Sequence, residues 1–277
     1  MKYIYILGLE HSGTTLTDHL LSAHPNVIGL GEVAQFFSPT HMQHYIECWG
    51  SFNTHDLCSC GERWVDCEFW RQIACLNGAE SDVPSMKKYQ ALINQVKSNY
   101  GDSSTIVDSS KSLDYLKQLY SMLDDLGIRK SDFSVLLCVK DPRGFVSSMS
   151  KKAGHRFGLI RCIRTLNYWC DRHRDFVDFL SVNDLNFRIS TYEGLCVDYR
   201  ASIDASLSLA GLSVPKLLEV DHNESHIVIG NKNFTLRNRT AIKYDDAWTR
   251  QPLVRLAYFF HRKAQRLNKN LAATQHS

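Results

Sequence analysis

Long apolar runs are missing from this chain of 277 residues: no stretch is hydrophobic for long enough to cross a bilayer. A positively charged leader with an apolar core behind it is missing too, so neither secretion nor membrane anchoring is expected, and the cytoplasm is the expected compartment. Charge of one sign is also scarce. The 32 Lys and Arg against 29 Asp and Glu leave a formal charge of +3, too mild to argue for a nucleic acid or an anionic membrane as partner, although a local basic pocket stays open. Internal repeats and low-complexity tracts are absent, which excludes solenoids. Cysteine is plentiful, but nine residues, an odd number spread along the chain, fit reduced thiols better than a disulfide framework.

What is present begins at the first strand, Ile4 to Leu7, which runs into Gly8-Leu9-Glu10-His11-Ser12-Gly13-Thr14-Thr15 and then a helical pattern from Thr14 to Leu21. Glycines at this spacing let successive backbone N–H groups and the positive end of a helix point at an anion. The loop of nucleoside triphosphatases places a lysine before its Ser/Thr, and here that position is Thr14. A triphosphate would lack its usual cation, so the loop suits a smaller group such as a single 5′-phosphate.

Further along, His24-Pro25 closes the first helix and Asn26 to Leu30 leads into a second strand. Residues from Val33 to about Asn99 are expected to be an irregular, aromatic-rich insertion forming a helical cap. A strand is expected at Thr105 to Val107. A helix follows with Leu113, Leu116, Leu119, Tyr120 and Leu123 at three-to-four spacing, then a buried strand at Phe133 to Val139. Pro142 fits the first turn of a helix; Arg161 to Leu180 is amphipathic and precedes a strand at Phe187 to Ile189. This alternation predicts an α/β fold: three layers, a mostly parallel central sheet with helices on both faces, ligands at the carboxyl ends of the strands, and one domain over residues 1–277.

A second cluster, Cys138-Val139-Lys140-Asp141-Pro142-Arg143-Gly144-Phe145-Val146-Ser147-Ser148, puts two cations and two hydroxyls at the end of the buried strand and on the next helix. That is where a second phosphate fits beside the first. An ordinary strand-to-helix turn with solvated charges is the alternative, as is a kinase-like site in which Asp141 holds magnesium.

Taken together, these clusters resemble the sulfotransferases that use 3′-phosphoadenosine-5′-phosphosulfate (PAPS) and release 3′-phosphoadenosine-5′-phosphate (PAP), in their bacterial and Golgi-like branches. The resemblance rests on Gly8 to Thr15, His24-Pro25, Gly31-Glu32, Lys140-Asp141-Pro142-Arg143 with Ser148, Tyr192-Glu193-Gly194-Leu195, and a segment from His226 to Arg239 similar to a donor-closing Gly-Asn loop. It departs from the family pattern in three places. His11 stands where the first loop usually has arginine, Lys140 replaces another arginine, and Phe234 occupies the place of an arginine near Gly230-Asn231, leaving Arg237 and Arg239 as candidates.

The resemblance implies that His11, Ser12, Gly13, Thr14 and Thr15 hold the 5′-phosphate, that Lys140 and Ser148 hold the 3′-phosphate, and that Tyr192 contacts adenine, with core packing as its alternative. Glu32 resembles a catalytic base; a helix cap is the other reading. Lys111, after Asp108-Ser109-Ser110, is placed to neutralise charge on the sulfuryl oxygens, with His11 assisting, or else it is a surface lysine behind a helix-capping serine. His226 reads as structural. The expected acceptor is the hydroxyl, N-hydroxyl or amine of a small molecule, by analogy a bacterial secondary metabolite such as a polar alkaloid, and the chemistry requires no metal. A magnesium-ATP small-molecule kinase is the alternative enzyme, and a nucleotide-bound scaffold without catalysis the alternative to any enzyme.

Two features of the insertion stand apart. Cys58-Ser59-Cys60 and Cys67, with His55, offer four zinc ligands, but the first spacing is tighter than a usual knuckle, so a local disulfide or buried thiols is expected and no metal is assigned. Phe36, Phe37, His41, His44, Tyr45, Trp49 and Phe52 either line an acceptor pocket or fill the core of the cap.

Overall fold

Parallel strands carry the molecule: β1 (Lys2–Gly8), β2 (Val27–Gly29), β3 (Thr105–Lys111), β4 (Phe133–Val139) and β5 (Asn186–Thr191) form one sheet in the order β2-β3-β1-β4-β5. The structure, a computed structural model, describes residues 1–37, 58–63, 66–74, 76, 85–215, 225–229 and 242–273. In chain order its α-helices are α1 (Thr14–Leu21), α2 (Val33–Phe37), α3 (Glu68–Ala74), α4 (Ser85–Tyr100), α5 (Leu113–Ser121), α6 (Pro142–Lys152), α7 (Leu159–Val182), α8 (Tyr192–Val197), α9 (Tyr199–Leu207), α10 (Pro252–Phe260) and α11 (Arg262–Ala273).

The period-two alternation of the strands explains the layers. On β1, Tyr3, Tyr5 and Leu7 join one apolar cluster while Ile4 and Ile6 join another. On β4, Phe133, Val135, Leu137 and Val139 face the first cluster, Leu136 and Cys138 the second. The first face is covered by α4 to α7, α10 and α11; the second by α1, α8 and α9 through Leu16, Leu20, Leu195, Ile203 and Leu207. Strands buried on both sides are largely apolar, and β4, buried at all seven positions, is so at every one but Ser134. The α/β class expected from the sequence is the observed one, with every strand pairing parallel. No helix among the described residues is long and apolar enough to cross a membrane.

Three local differences have physical causes. Helix α4 is regular and lies inside the segment expected to be irregular; its buried Tyr89, Leu92, Ile93 and Val96 belong to the main core. β3 runs four residues past the expected Val107, because the polar Asp108, Ser109 and Ser110 are buried with partners inside the fold. The helices α10 and α11 were not anticipated; Pro252 starts α10 at its first turn.

From β1 the chain passes to β2 and β3 on one side of the sheet, whereas β4 and β5 lie on the other, so the order reverses between β1 and β4. A crevice opens at such a point beyond the carboxyl ends of the strands. Beside it, Gly31 follows β2 in a left-handed conformation (φ 77°), and a Cβ there would come within 2.0 Å of the Val228 carbonyl oxygen. Gly31→Ala is expected to cost on the order of 3 kcal/mol, backbone strain plus a clash that no side chain can relieve. Gly127→Ala, also left-handed but with nothing near its would-be Cβ, is expected to cost about 1 kcal/mol. Urea denaturation of both variants checks the difference.

Candidate active site

The carboxyl end of every strand delivers a residue singled out in the sequence: the His11–Thr15 loop after β1, Glu32 after β2, Lys111 closing β3, Lys140 after β4 and Tyr192 after β5. In the loop after β1, His11 and Gly13 both take positive φ (65° and 84°), and Gly13 caps α1 without any side chain bonding the first-turn N–H groups. Those donors are unpaired by helix geometry and lie at the positive end of the helix. The buried Ser12, 2% exposed, turns its Oγ inward with no hydrogen-bond partner among the described residues. A buried hydroxyl without a partner is costly, and a phosphate oxygen against this loop satisfies both it and the backbone donors. The residues present therefore fit a phosphate group.

Lys140, 4% exposed, forms the second cradle. Its Nζ lies 3.2 Å from Ser148 Oγ, one turn into α6, and 4.5 Å from the centre of the Tyr192 ring. Burial, resisted by Asp245 and Glu193, holds the Lys140 pKa below the ordinary lysine value, a desolvation penalty that a bound anion would offset. Tyr192 links the two cradles. Its ring packs against Gly13, close enough that a Cβ there would be 3.0 Å from Cδ2, while its hydroxyl accepts the N–H of Asp245 at 3.3 Å. His11, exposed at the rim, has its pKa lowered by desolvation and by Lys152, Lys140 and Lys111, against Glu10, which favours the neutral imidazole.

The rest of the second motif faces elsewhere. Asp141 caps α6 and accepts from the Arg143 N–H at 2.8 Å, Nε at 2.9 Å and Nη2 at 2.7 Å, and from Asn268 at 3.3 Å. Arg143 stacks on Trp248 at 3.9 Å and Tyr258 at 4.9 Å. Ser147 Oγ accepts from Gln251 at 2.9 Å. Of the two cations and two hydroxyls in this motif, only Lys140 and Ser148 converge, and Asp141, with both oxygens engaged, is poorly suited to magnesium.

At the other end of the crevice Glu32, 5% exposed, forms an ion pair with Lys111 through one carboxylate oxygen and accepts from Gln35 through the other. The pairing depends on an irregularity in β3. Tyr5 pairs with Asp108 but Leu7 with Lys111, so one extra residue bulges out and Lys111 takes φ 67°. Bulges re-aim side chains next to sites in this way. Lys111 is therefore the last residue of a strand, not a helix-start lysine; Ser112 caps α5.

Sequence reasoning missed what holds this corner. Asp18 on α1, fully buried, accepts from the Gly31 N–H at 3.2 Å and Ser109 Oγ at 2.6 Å. Asp108 accepts from Tyr3 OH at 2.8 Å and from Ser110, whose Oγ accepts the Ala34 N–H at 2.9 Å. A lone acid among Leu16, Leu20 and Leu21 was the available signal for Asp18. Phe36 and Phe37, candidates for an acceptor pocket, are instead core, against Trp70 at 4.6 Å and Tyr89 at 5.2 Å. His41, His44, Tyr45, Trp49, Phe52, His55, the Gly230-Asn231 turn, Phe234, Arg237 and Arg239 lie outside the described residues.

Of the two expectations for the cysteine cluster, thiols are observed, with Cys58 and Cys67 buried, and the disulfide is not. Cys67 Sγ is 3.7 Å from Cys58 Sγ and 3.8 Å from Cys60 Sγ, too far for a disulfide. The histidine that joins them is His226, its Nδ1 3.5 Å from Cys58 Sγ and 3.3 Å from Cys67 Sγ.

No family model matches this chain, and no curated protein matches it. Solved structures do. The sulfotransferase domain from the Synechococcus PCC 7002 olefin synthase superposes with a TM-score of 0.59 at 15% identity, covering 93% of this chain and 94% of that one. The sulfotransferase domain from the curacin biosynthetic pathway gives 0.56 at 16% identity, covering 97% and 96%. The chain has the sulfotransferase fold.

Desolvation raises the pKa of Asp18 from 3.8 to about 7 and that of Asp108 to about 6. A carboxyl raised in the folded state binds more protons folded than unfolded, so its contribution is complete below the unfolded value and is lost as pH climbs toward the folded one. The half-buried His19 and the buried His173, both lowered to about 4, favour the folded state as pH rises to about 6.5. The contribution of the two carboxyls is instead expected to fall from pH 4 to pH 8, with Asp18 accounting for on the order of 4 kcal/mol at most. Asp18→Asn should flatten that slope whatever it does to stability at pH 4; urea midpoints across the range measure it.

Proposed function

We propose that this protein is a sulfotransferase that takes the sulfuryl group of PAPS and passes it to a hydroxyl, N-hydroxyl or amine of a small polar molecule, of the kind tailored in bacterial secondary metabolism, such as an alkaloid. One observation carries the reading. Two anion cradles, one with an unpartnered buried Ser12 Oγ and one with the buried Lys140–Ser148 pair, flank a single aromatic ring, Tyr192. A ribose phosphorylated at both its 3′ and 5′ carbons presents two such groups. The fold supports the reading, and the source of two similar structures, an olefin synthase and the curacin biosynthetic pathway, supports the acceptor class.

In this mechanism Ser12, Thr14, Thr15 and the first-turn N–H groups hold the 5′-phosphate, with His11 donating at the rim. Lys140 and Ser148 hold the 3′-phosphate. Glu32 takes the acceptor proton as the acceptor oxygen or nitrogen bonds to sulfur. The bond from sulfur to the bridging oxygen breaks, its electron pair leaves on the 5′-phosphate, and PAP departs. Lys111, released from Glu32 as that carboxylate is protonated, is placed to meet charge on the sulfuryl oxygens. Nothing here requires a metal; positioning and electrostatics supply the rate.

Two measurements test this. In calorimetry with chelator present, PAP should bind and AMP should bind far more weakly. Lys140→Ala should weaken PAP about 10- to 100-fold, as expected for loss of a charged hydrogen bond, with Lys111→Ala much closer to wild type. Magnesium-dependent ATP binding in place of this pattern would establish the kinase reading. In turnover with labelled donor and a panel of hydroxylated metabolites, Glu32→Gln should keep PAP affinity and lose about 10²- to 10⁴-fold in kcat; an unchanged rate would remove Glu32 from the chemistry.

A further inference from the structure

We propose that Cys58, Cys60, Cys67 and His226 form a closed structural zinc site that fastens the insertion after β2 to the edge of the sheet carrying Glu32. The donor atoms of all four lie within 4.8 Å of one another. A tetrahedral zinc centre with Zn–S near 2.3 Å and Zn–N near 2.05 Å has S···S edges of about 3.8 Å and S···N edges of about 3.6 Å. The separations found are 3.7 and 3.8 Å between sulfurs and 3.5 and 3.3 Å from sulfur to Nδ1. Three sulfurs and an imidazole at those spacings are the donor set of a Cys₃His site. Soft thiolates select zinc over magnesium or calcium, and four protein ligands leave no open position for catalysis.

The surroundings are built for it. The tight Cys58-Ser59-Cys60 spacing is accommodated by a turn in which Gly61 takes φ 100°, its N–H donates to the Cys58 carbonyl at 2.9 Å, and the Cys58 N–H donates to the Glu62 carbonyl at 2.8 Å. Backbone N–H groups of Cys60, Glu62 and Trp70 are turned onto the sulfurs of Cys58, Cys60 and Cys67 respectively. With Nδ1 toward the sulfurs, the other ring nitrogen of His226 lies 2.6 Å from Tyr100 OH, the outer hydrogen bond that metal-ligating histidines use to fix tautomer and orientation. Phe69 stacks on the imidazole at 4.6 Å and 5°, and Trp70 Nε1 donates to the His226 carbonyl at 2.6 Å. Zinc binding displaces the thiol protons and leaves a centre with one net negative charge, which the backbone donors offset.

The site also has a purpose in this fold. Ser59 donates its N–H to the Ile227 carbonyl at 3.1 Å and its hydroxyl to the Ser225 carbonyl at 2.7 Å. Residues 225–229 run on beside β2, with the His226 N–H on the Gly29 carbonyl at 2.9 Å and the Glu32 N–H on the Val228 carbonyl at 3.2 Å. A metal at the cluster would hold the strip against which the Glu32 turn is set.

The test is metal content of the full chain, purified without chelator under reducing conditions and measured by elemental analysis, a readout independent of any sulfuryl transfer. One zinc per chain is expected, falling below about a tenth of that in Cys60→Ser and in His226→Ala and unchanged in Cys170→Ala. Tyr100→Phe keeps all four ligands and should weaken zinc about 10-fold in competition with a chelating dye. Should the ligand variants precipitate, cobalt substitution of the wild-type chain decides alone: intense tetrahedral d–d bands with thiolate charge transfer support the site, and weak octahedral bands overturn it. Wild-type protein that holds no zinc after anaerobic reconstitution, Cys60→Ser that holds as much as wild type, or a disulfide among the three cysteines would equally overturn it.

Discussion

The contact of Tyr192 with both Gly13 and Lys140 is the constraint on which the arrangement of the crevice depends. β1 and β4 are adjacent in the sheet, with Gly8 in register with Cys138, so the loop that leaves β1 and the lysine two residues beyond Cys138 emerge side by side. Without a spacer, an ammonium and the positive end of α1 at such proximity would repel. The Tyr192 ring supplies the spacer: it accepts the cation on its face and fills the surface left bare by Gly13. An aromatic face near an ammonium is worth about 0.5–2 kcal/mol depending on desolvation, enough to orient Lys140 but not to repay its burial. The remaining cost is recovered when an anion arrives. A buried lysine with a lowered pKa, held among the described residues by a hydroxyl and a ring face, suits the proposed anion site at some expense to the ligand-free state.

The Glu32–Lys111 corner is governed differently, by buried acids. Asp18 and Asp108 lie beneath the Gly31–Glu32 turn and the β3 bulge, accepting from Gly31, Ser109, Ser110 and Tyr3. Neither acid faces the crevice; each trades its own solvation for fixed geometry in the two segments that bring Glu32 and Lys111 together. Desolvation outweighs these hydrogen bonds, since both pKa values are raised despite them. The elevated pKa of these carboxyls therefore reports positioning, not proton transfer, and the acid proposed to exchange a proton is Glu32, which has a lysine partner.

The sequence was most legible where periodicity and local turn chemistry act alone. α1 and β4 occupy the expected residues because Pro25, Gly13 and a strongly apolar run, interrupted only at Ser134, mark them. Glu32, Lys140 and Tyr192 were singled out through motifs that resemble the sulfotransferase pattern, Lys111 by its place near a strand end, and the parallel sheet, whose carboxyl ends share one side, brings the four together. Long-range satisfaction was illegible. β3 looked finished at Val107 because its next residues are polar, and only partners 91 and 105 positions distant explain their burial. The same limit hid the fourth member of the cysteine cluster. His55 was near in sequence and was the natural choice, whereas His226 stands 159 residues from Cys67 and no spacing rule reaches it. Arg143 misled for the opposite reason: its local motif suggested an anion, while Asp141, Trp248 and Tyr258 claim it.

That long separation bears on why a fold with an ample core would hold a metal. Fixing two points 159 residues apart removes loop-closure entropy from the unfolded chain on the order of 5 kcal/mol, but global stability is not where such a fastening is needed. The strip at 225–229 has one isolated bridge to the sheet, Gly31 with Val228, and five residues cannot bury enough surface to anchor themselves. Its hydrogen bonds to Gly29, Glu32 and Ser59 are made at the sheet edge, where few ladder bonds support it although Ser225, Ile227 and Val228 are buried. Metal ligation of His226 acts at the centre of that strip. A zinc there raises the cost of local opening where Glu32 takes its backbone support, so its loss would be felt first in the geometry of the base and only later in the melting of the core.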